Sequence, residues 1–364
     1  MDILMVTPRF LPEMGGIETH VYEVSRRLVT LGHAVTVLTT DRIGHLPPTE
    51  QMQGVQVHRV SAWPKRRDYY VAPAIYNRIR ASAADVMHVQ GYHTFVPPVA
   101  MAAALRRQMP YVVTFHSGGH SSPLRNALRW PQQRSLAPLV RRAVRLIGVS
   151  EFEADFFSGR MRVPRERFAV IRNGAQMPVV EPTAGASPLI VSVGRLERYK
   201  GHHRLISALP HLLGQLPQAR VRILGDGPYK SELSALAARL GLADRVTIAG
   251  IPASDREGVA ALLGGAAAVV LLSEYEAHPV AVMEALAMRR RVVVTDCSGL
   301  SEMVDGDRVV AVPIHAREAE IASAILDQVR KGPLAQVAHL PTWDDCACRL
   351  RDTYEDVIDR HGLR

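Results

Sequence analysis

One pattern constrains this chain more than any other: a short apolar run, a polar or glycine-rich loop, then a stretch of helical spacing, repeated through both halves. Asp2 to Thr7 (DILMVT) reads as a buried strand. A loop from Pro8 to Gly16 ends in Gly15-Gly16, and Ile17 to Leu31 has helical spacing that stops at Gly32. His33 to Thr39 is the next strand, so the chain opens as a βαβ unit, which requires a parallel sheet. Further strands read at Val55–Val60, Asp85–Val89, Tyr111–Phe115, Arg145–Ser150 and Phe168–Arg172. Asn173-Gly174 makes a turn, and Met177 to Pro188, rich in Pro, Ala, Gly and Thr, reads as a linker. The alternation then restarts, with strands at Leu189–Val193, Val221–Leu224, Val246–Ile248, Ala268–Leu272 and Arg291–Thr295. At 364 residues the chain exceeds one compact core. The expected fold is α/β: two doubly wound Rossmann-like domains facing one another across a cleft, residues 1–180 and 181–343.

In open α/β sheets, ligands bind at the carboxyl ends of the strands. His93 and His116 each follow a strand, His116 directly before Ser117-Gly118-Gly119. Both are expected at the cleft, although a lone histidine is more often structural. Gly15-Gly16 is not the GxGxxG fingerprint, so no nicotinamide cofactor is expected. The pair is either a flexible loop or a backbone that approaches a phosphate closely.

Leu271 to Ala287 (LLSEYEAHPVAVMEALA) carries two glutamates, Glu276 and Glu284. His278-Pro279 lies between them, and proline suits the first turn of a helix. A helix starting near Pro279 puts Glu276 in the preceding loop and Glu284 between one and two turns inside. The amides at such a start form an anion site. Amides for phosphate and carboxylates for hydroxyls are what a nucleotide-diphosphate sugar needs; the alternative is a surface helix with two solvated glutamates. Arg195 and Lys200 bracket an earlier strand-to-helix loop and can place two positive charges on a phosphate pair.

Residues 1–180 carry 23 lysines and arginines against 12 acidic residues, a net +11; the remainder carries 21 against 23, a net −2. That asymmetry suggests an anionic partner for the first half, unless the whole protein is simply arginine-rich. Basic segments lie at Trp63–Tyr70, Asn77–Arg80, Arg106-Arg107 and Arg125–Arg145. The last is either an amphipathic element on a membrane surface or a solvated helix face. No nucleic-acid-binding signature is present. The three cysteines, Cys297, Cys346 and Cys348, fit a reduced cytosolic compartment, and Cys346-Ala347-Cys348 is too isolated for a metal site. Met1 to Val6 does not read as a signal peptide, and no apolar run approaches the ~20 residues of a membrane span. Asp305-Gly306-Asp307 has the form of a metal-binding DxD but sits in a turn.

In order and spacing these motifs resemble retaining GT-B glycosyltransferases of family 4. The resemblance rests on Gly15-Gly16-Ile17-Glu18-Thr19-His20, Asn173-Gly174, Gly194-Arg195-Leu196 with Lys200-Gly201, Gly225-Asp226-Gly227-Pro228, Glu276-x7-Glu284 and Gly299 to Glu302. It implies that Arg195 and Lys200 hold the donor diphosphate, Glu276 touches the transferred sugar and Glu284 binds the ribose hydroxyls. Backbone at Val280 and Ala281 would meet phosphate, with His278 and Pro279 beside it. Gly15 and Gly16 would lie over the diphosphate, His116 near the reacting sugar, and Ile251 near the base. A C-terminal helix, about 344–364, would return to the first domain. No cofactor or metal is implied beyond the nucleotide-sugar co-substrate. The acceptor would be a carbohydrate or a lipid-linked molecule, in a cytoplasmic enzyme that could sit at the inner face of the membrane. This chain departs from the family at Ala277-His278-Pro279, where Gly-Phe-Gly is usual, and at Met288 to Arg291, where Gly-x-Pro is usual. The rival readings are a sugar-nucleotide epimerase on the same fold and a non-catalytic basic protein that binds membrane or nucleic acid.

Overall fold

Short runs of β-branched residues flanked by glycine can bury both faces only in a sheet covered by helices on each side. The computed structural model of the chain describes residues 1–13, 15–65, 70–117, 123–180, 187–252, 255–336 and 340–362, without the side chains of 123–128. Gly118, Gly119, Arg66 to Tyr69 of the basic segment, part of the expected linker and the Arg125 side chain therefore lie outside the described residues.

The chain divides into two units. Unit 1 is Met1–Ser117, Leu128–Gly174 and Pro341–Arg364; unit 2 is Gly118–Ala127 and Ala175–Leu340. Unit 1 holds β1 (Asp2–Val6), β2 (Ala34–Asp41), β3 (Thr49–Met52), β4 (Val55–Ser61), β5 (Val86–Gln90), β6 (Tyr111–Thr114), β7 (Arg145–Gly148) and β8 (Phe168–Val170). Their order is β3-β4-β2-β1-β5-β6-β7-β8, parallel except for the β3–β4 hairpin. The helices are α1 (Gly16–Thr30), α2 (Ala74–Arg80), α3 (Val96–Arg107), α4 (Pro123–Val140) and α5 (Glu151–Met161). Under the sheet Phe115 stacks on Phe157 with centroids 4.1 Å apart, and on Phe168 at 5.7 Å.

Unit 2 holds β9 (Leu189–Val193), α6 (His202–Leu213), β10 (Arg220–Leu224), α7 (Lys230–Arg239), β11 (Val246–Ile248), α8 (Arg256–Gly264), β12 (Ala268–Leu271), α9 (Val280–Ala287), β13 (Val292–Thr295), α10 (Ser298–Ser301), β14 (Val309–Val312) and α11 (Glu318–Lys331). The order β11-β10-β9-β12-β13-β14 is parallel throughout. Successive strand residues point to opposite faces. Ile190, Val270 and Val293 therefore join one core layer with α6 and α11. Val191, Val269, Leu271, Val292 and Val294 join the other, with α8 and α9.

The last helix, α12 (Trp343–Arg360), belongs to unit 1. A capping box of Thr342 and Asp345 starts it. Asp344 accepts from Arg27 Nε of α1 at 2.8 Å, and the Tyr354 hydroxyl lies 2.6 Å from His88 Nδ1 of β5.

Three elements differ from the sequence reading. Helix α1 begins at Gly16 rather than Ile17, so Gly16 is inside the first turn with Gly15 as its cap. Strand β3 (TEQM) is polar because it pairs on one side only, at the sheet edge, joined to β4 through Gln53-Gly54, both at positive φ. Strand β14 (VVAV) is four residues long and closes the opposite edge of the second sheet. No helix among the described residues is long and apolar enough to cross a membrane.

Candidate active site

The loops at the carboxyl ends of β9, β12 and β13 converge in unit 2. After β9 the chain turns at Gly194 and Arg195. His202 holds this turn: Ser192 Oγ lies 2.9 Å from its Nδ1, and its Nε2 donates to the Arg195 carbonyl at 3.3 Å. Burial lowers the His202 imidazole to about 4, so it stays neutral. A single 3-10 turn, Arg198–Lys200, delivers Lys200, and Gly201 follows at φ +72. A Cβ there would sit 2.0 Å from the Leu272 carbonyl, so only glycine lets this turn abut the end of β12.

Lys200 Nζ donates to Glu276 Oε1 at 2.5 Å, and Ser273 Oγ donates to the same oxygen at 2.7 Å. The Glu276 backbone is held as well. Its N–H donates to Ser298 Oγ at 2.9 Å, and its carbonyl accepts from Gly299 N at 2.9 Å. Gly299 is required by space: a Cβ would lie 1.7 Å from the Ala277 carbonyl. Burial alone would lower the Lys200 ammonium, but Glu276 and Tyr199 outweigh it and hold the group above its ordinary value. Arg195 is half-exposed, with its guanidinium 3.5 Å from Glu197.

Pro279 caps α9, whose first amides at Val280 and Ala281 have no partner within the helix. Ala277, His278 and Pro279 are buried before it. One turn inside, Glu284 is 7% exposed, and Arg256 at the start of α8 donates to its Oε1 at 2.5 Å. Burial pushes the Glu284 carboxyl up, and Arg256 opposes that push. Ile251, in the loop after β11, packs against the α8–α9 core layer.

Gly15, Gly16 and His116 belong to unit 1. His116 sits at φ +46 after β6, and its Nε2 donates to Gln90 Oε1 at 2.7 Å. The His20 ring meets it edge-on at 4.6 Å, and His20 Nδ1 donates to Asn173 Oδ1 at 2.9 Å. His93 Nε2 donates to the His116 carbonyl at 3.3 Å. Burial, with His20, His88 and His93 nearby, holds His116 well below the usual imidazole range. It is a neutral ring with Nε2 committed to Gln90.

Lys200 and Glu276 thus meet directly, Glu284 pairs with Arg256, and His116 joins a separate cluster. Sequence reasoning did not single out Ser273, Ser298, Arg256 or Gln90. Ser273 and Ser298 carried a usable signal, since each follows a strand directly or within a few residues. Asp305 is a turn residue: its Oδ1 accepts from the amides of Asp307, Arg308 and Val309 at 2.8–3.0 Å. Asp307 pairs with Arg291 at 2.9 Å. Among the described residues no cluster of three or more His, Cys, Asp or Glu could hold a metal ion.

Residues 14–176 match the family described as Glycosyltransferase Family 4, and residues 176–336 match Glycosyl transferases group 1. Glycogen synthase of Mycobacterium tuberculosis is 30% identical over 336 residues, covering 84% of this chain and 80% of that protein. D-inositol 3-phosphate glycosyltransferase of Nocardiopsis dassonvillei is 28% identical over 393 residues, covering 94% and 90%. Among solved structures, sucrose-phosphate synthase of Thermosynechococcus elongatus superposes with a TM-score of 0.78 at 18% identity, covering 99% of both chains. Anabaena HepE in complex with UDP and glucose gives 0.76 at 18%, covering 98% of this chain and 99% of that one. The chain belongs to the group 1 glycosyltransferases, enzymes of GT-B fold.

Proposed function

Because the chain is a group 1 glycosyltransferase, we propose that it moves a sugar from a UDP- or GDP-sugar to an acceptor with the anomeric configuration retained. One observation carries the reading: Lys200, Ser273 and Glu276 meet at the strand ends of unit 2, just before the α9 amides and the buried Glu284. In this reading Arg195, Lys200 and the α9 amides stabilise the charge that develops on the leaving diphosphate. Glu276 accepts from the sugar hydroxyls and Glu284 from the ribose. Lys200, held by Glu276, and the half-exposed Arg195 supply the positive charge the leaving group needs, so the reading does without a metal ion. Unit 2 holds the donor and unit 1 the acceptor. The neutral His116 ring offers a hydrogen bond rather than a charge. The UDP and UDP-glucose complexes of Anabaena HepE favour a uridine donor.

We read the acceptor as lipid-linked, in polysaccharide or glycolipid synthesis at the inner face of a membrane. The basic first half supports this, together with Trp63, 73% exposed, and Phe95 and Trp130, each 52% exposed. Co-flotation with anionic but not neutral vesicles tests the membrane part; equal behaviour on both would sink it.

The donor part is tested by thermal stabilisation with UDP, GDP and ADP, with and without EDTA, since a ligand of the native state raises the melting point. The reading expects a shift with one base that EDTA leaves intact. No shift with any of the three would refute it. Conversion of the donor to an isomer without acceptor would favour an epimerase instead.

A further inference from the structure

Glu284 is nearly buried inside α9, and among the described residues its carboxylate has a single hydrogen-bonding partner, Arg256. A buried carboxylate left without a cation is costly, so Arg256 is what makes an ionised Glu284 tolerable at this place. The geometry is specific. The guanidinium Nη2 reaches Oε1 only, at 2.5 Å, rather than gripping both oxygens in a fork. A carboxylate has about four lone-pair directions. The contact therefore leaves Oε2 to accept from something else.

Arg256 has further contacts through the nitrogen that bonds Glu284. The same Nη2 lies 3.0 Å from Met177 Sδ and 3.5 Å from the Gln176 carbonyl. Its backbone opens α8 behind Asp255, which caps the helix by accepting from Gly258 N at 2.8 Å. Helices α8 and α9 share one core layer, through Val259 and Leu263 on α8 and Val282, Ala285 and Leu286 on α9. The two helices are thus packed against each other, and the Arg256–Glu284 bond joins the start of α8 to the middle of α9.

We propose that Arg256 is a positioning residue for the donor ribose: it fixes the Glu284 carboxylate through one oxygen and so presents the other to the ribose hydroxyls. The proposal rests on the donor reading above and adds to it a device for selecting ribose over deoxyribose. The device acts through a residue that touches no reacting atom. A carboxylate free to rotate would lose affinity for ribonucleotides and keep its affinity for nucleotides that lack those hydroxyls.

The test is calorimetric titration of the full chain with UDP and with 2′,3′-dideoxy-UDP, and with the guanosine pair. It compares wild type, Arg256→Gln, Arg256→Lys and Glu284→Gln. The expected result is a loss of about tenfold in UDP affinity for Arg256→Gln, with dideoxy-UDP affinity unchanged and much of the loss recovered by Arg256→Lys; tenfold is the scale of one hydrogen bond to a charged group. Glu284→Gln should lose ribonucleotide affinity as well. Equal losses for UDP and dideoxy-UDP in Arg256→Gln would overturn the proposal, because the residue would then support the fold alone. An unchanged Arg256→Gln beside a weakened Glu284→Gln would overturn it and leave the donor reading standing. If neither variant changes ribonucleotide binding, or wild type binds none of the nucleotides, both fall together.

Discussion

Lys200 Nζ lies 2.5 Å from Glu276 Oε1, joining two strand-end loops 76 residues apart in the chain. Their side chains are 17% and 12% exposed, so each charge depends on the other for much of its compensation. Removing one partner of a fully buried pair costs about 3–5 kcal/mol. With this exposure, Lys200→Ala should lower stability by about 1–3 kcal/mol in urea unfolding, after discount for solvent screening. The same variant should lower kcat/KM well beyond what the stability loss explains. Unchanged turnover would remove Lys200 from the proposed machinery.

The buried histidines predict how stability follows pH. Burial holds His20 and His202 at about 4 in the folded chain, against 6.5 when exposed. Between those values the unfolded state binds protons that the folded state does not. Stability is therefore whole above about 6.5 and is lost as pH falls toward 4, by up to about 1.4 kcal/mol per pH unit for each such histidine. Melting temperature should fall steadily from pH 6.5 to 4.5, and less steeply in His20→Gln. A flat profile over that range would show that these rings are not buried neutral.

Two glycine substitutions should have opposite outcomes. At Gly299 a Cβ would meet the Ala277 carbonyl at 1.7 Å, in the loop that holds the Glu276 backbone. Gly299→Ala should displace that loop, destabilise the chain and reduce turnover. Gly159 lies within α5 with nothing within 4 Å of a new Cβ. Gly159→Ala should be neutral or stabilise by up to about 1 kcal/mol, because alanine loses less entropy in a helix. Thermal unfolding of both variants checks the contrast.

The repeated strand–loop–helix pattern was legible because the second sheet is buried on both faces. Ile190 and Val191 feed different core layers, so both must be apolar, and the run stands out. Strand β3 was not legible because an edge strand pairs on one side and needs no apolar run. The Glu276–Glu284 spacing and the bracketing Arg195 and Lys200 were visible as pattern. Their supports were not. Arg256 is 28 residues from Glu284, and Ser298 is 22 from Glu276, distances across which only the fold creates neighbours. The buried cluster of His20, Gln90 and His116 is likewise drawn from α1, β5 and the end of β6.

The most direct test of the central claim, that unit 2 binds a nucleoside diphosphate through Arg195 and Lys200, is calorimetric titration of UDP and GDP in EDTA. Wild type is compared with the Arg195→Ala, Lys200→Ala double variant. Hydrogen bonds to charged groups contribute about 1.5–3 kcal/mol each. The account predicts binding of one nucleotide by wild type without metal, weakened at least about a hundredfold in the double variant. Equal affinity in the two proteins would contradict it.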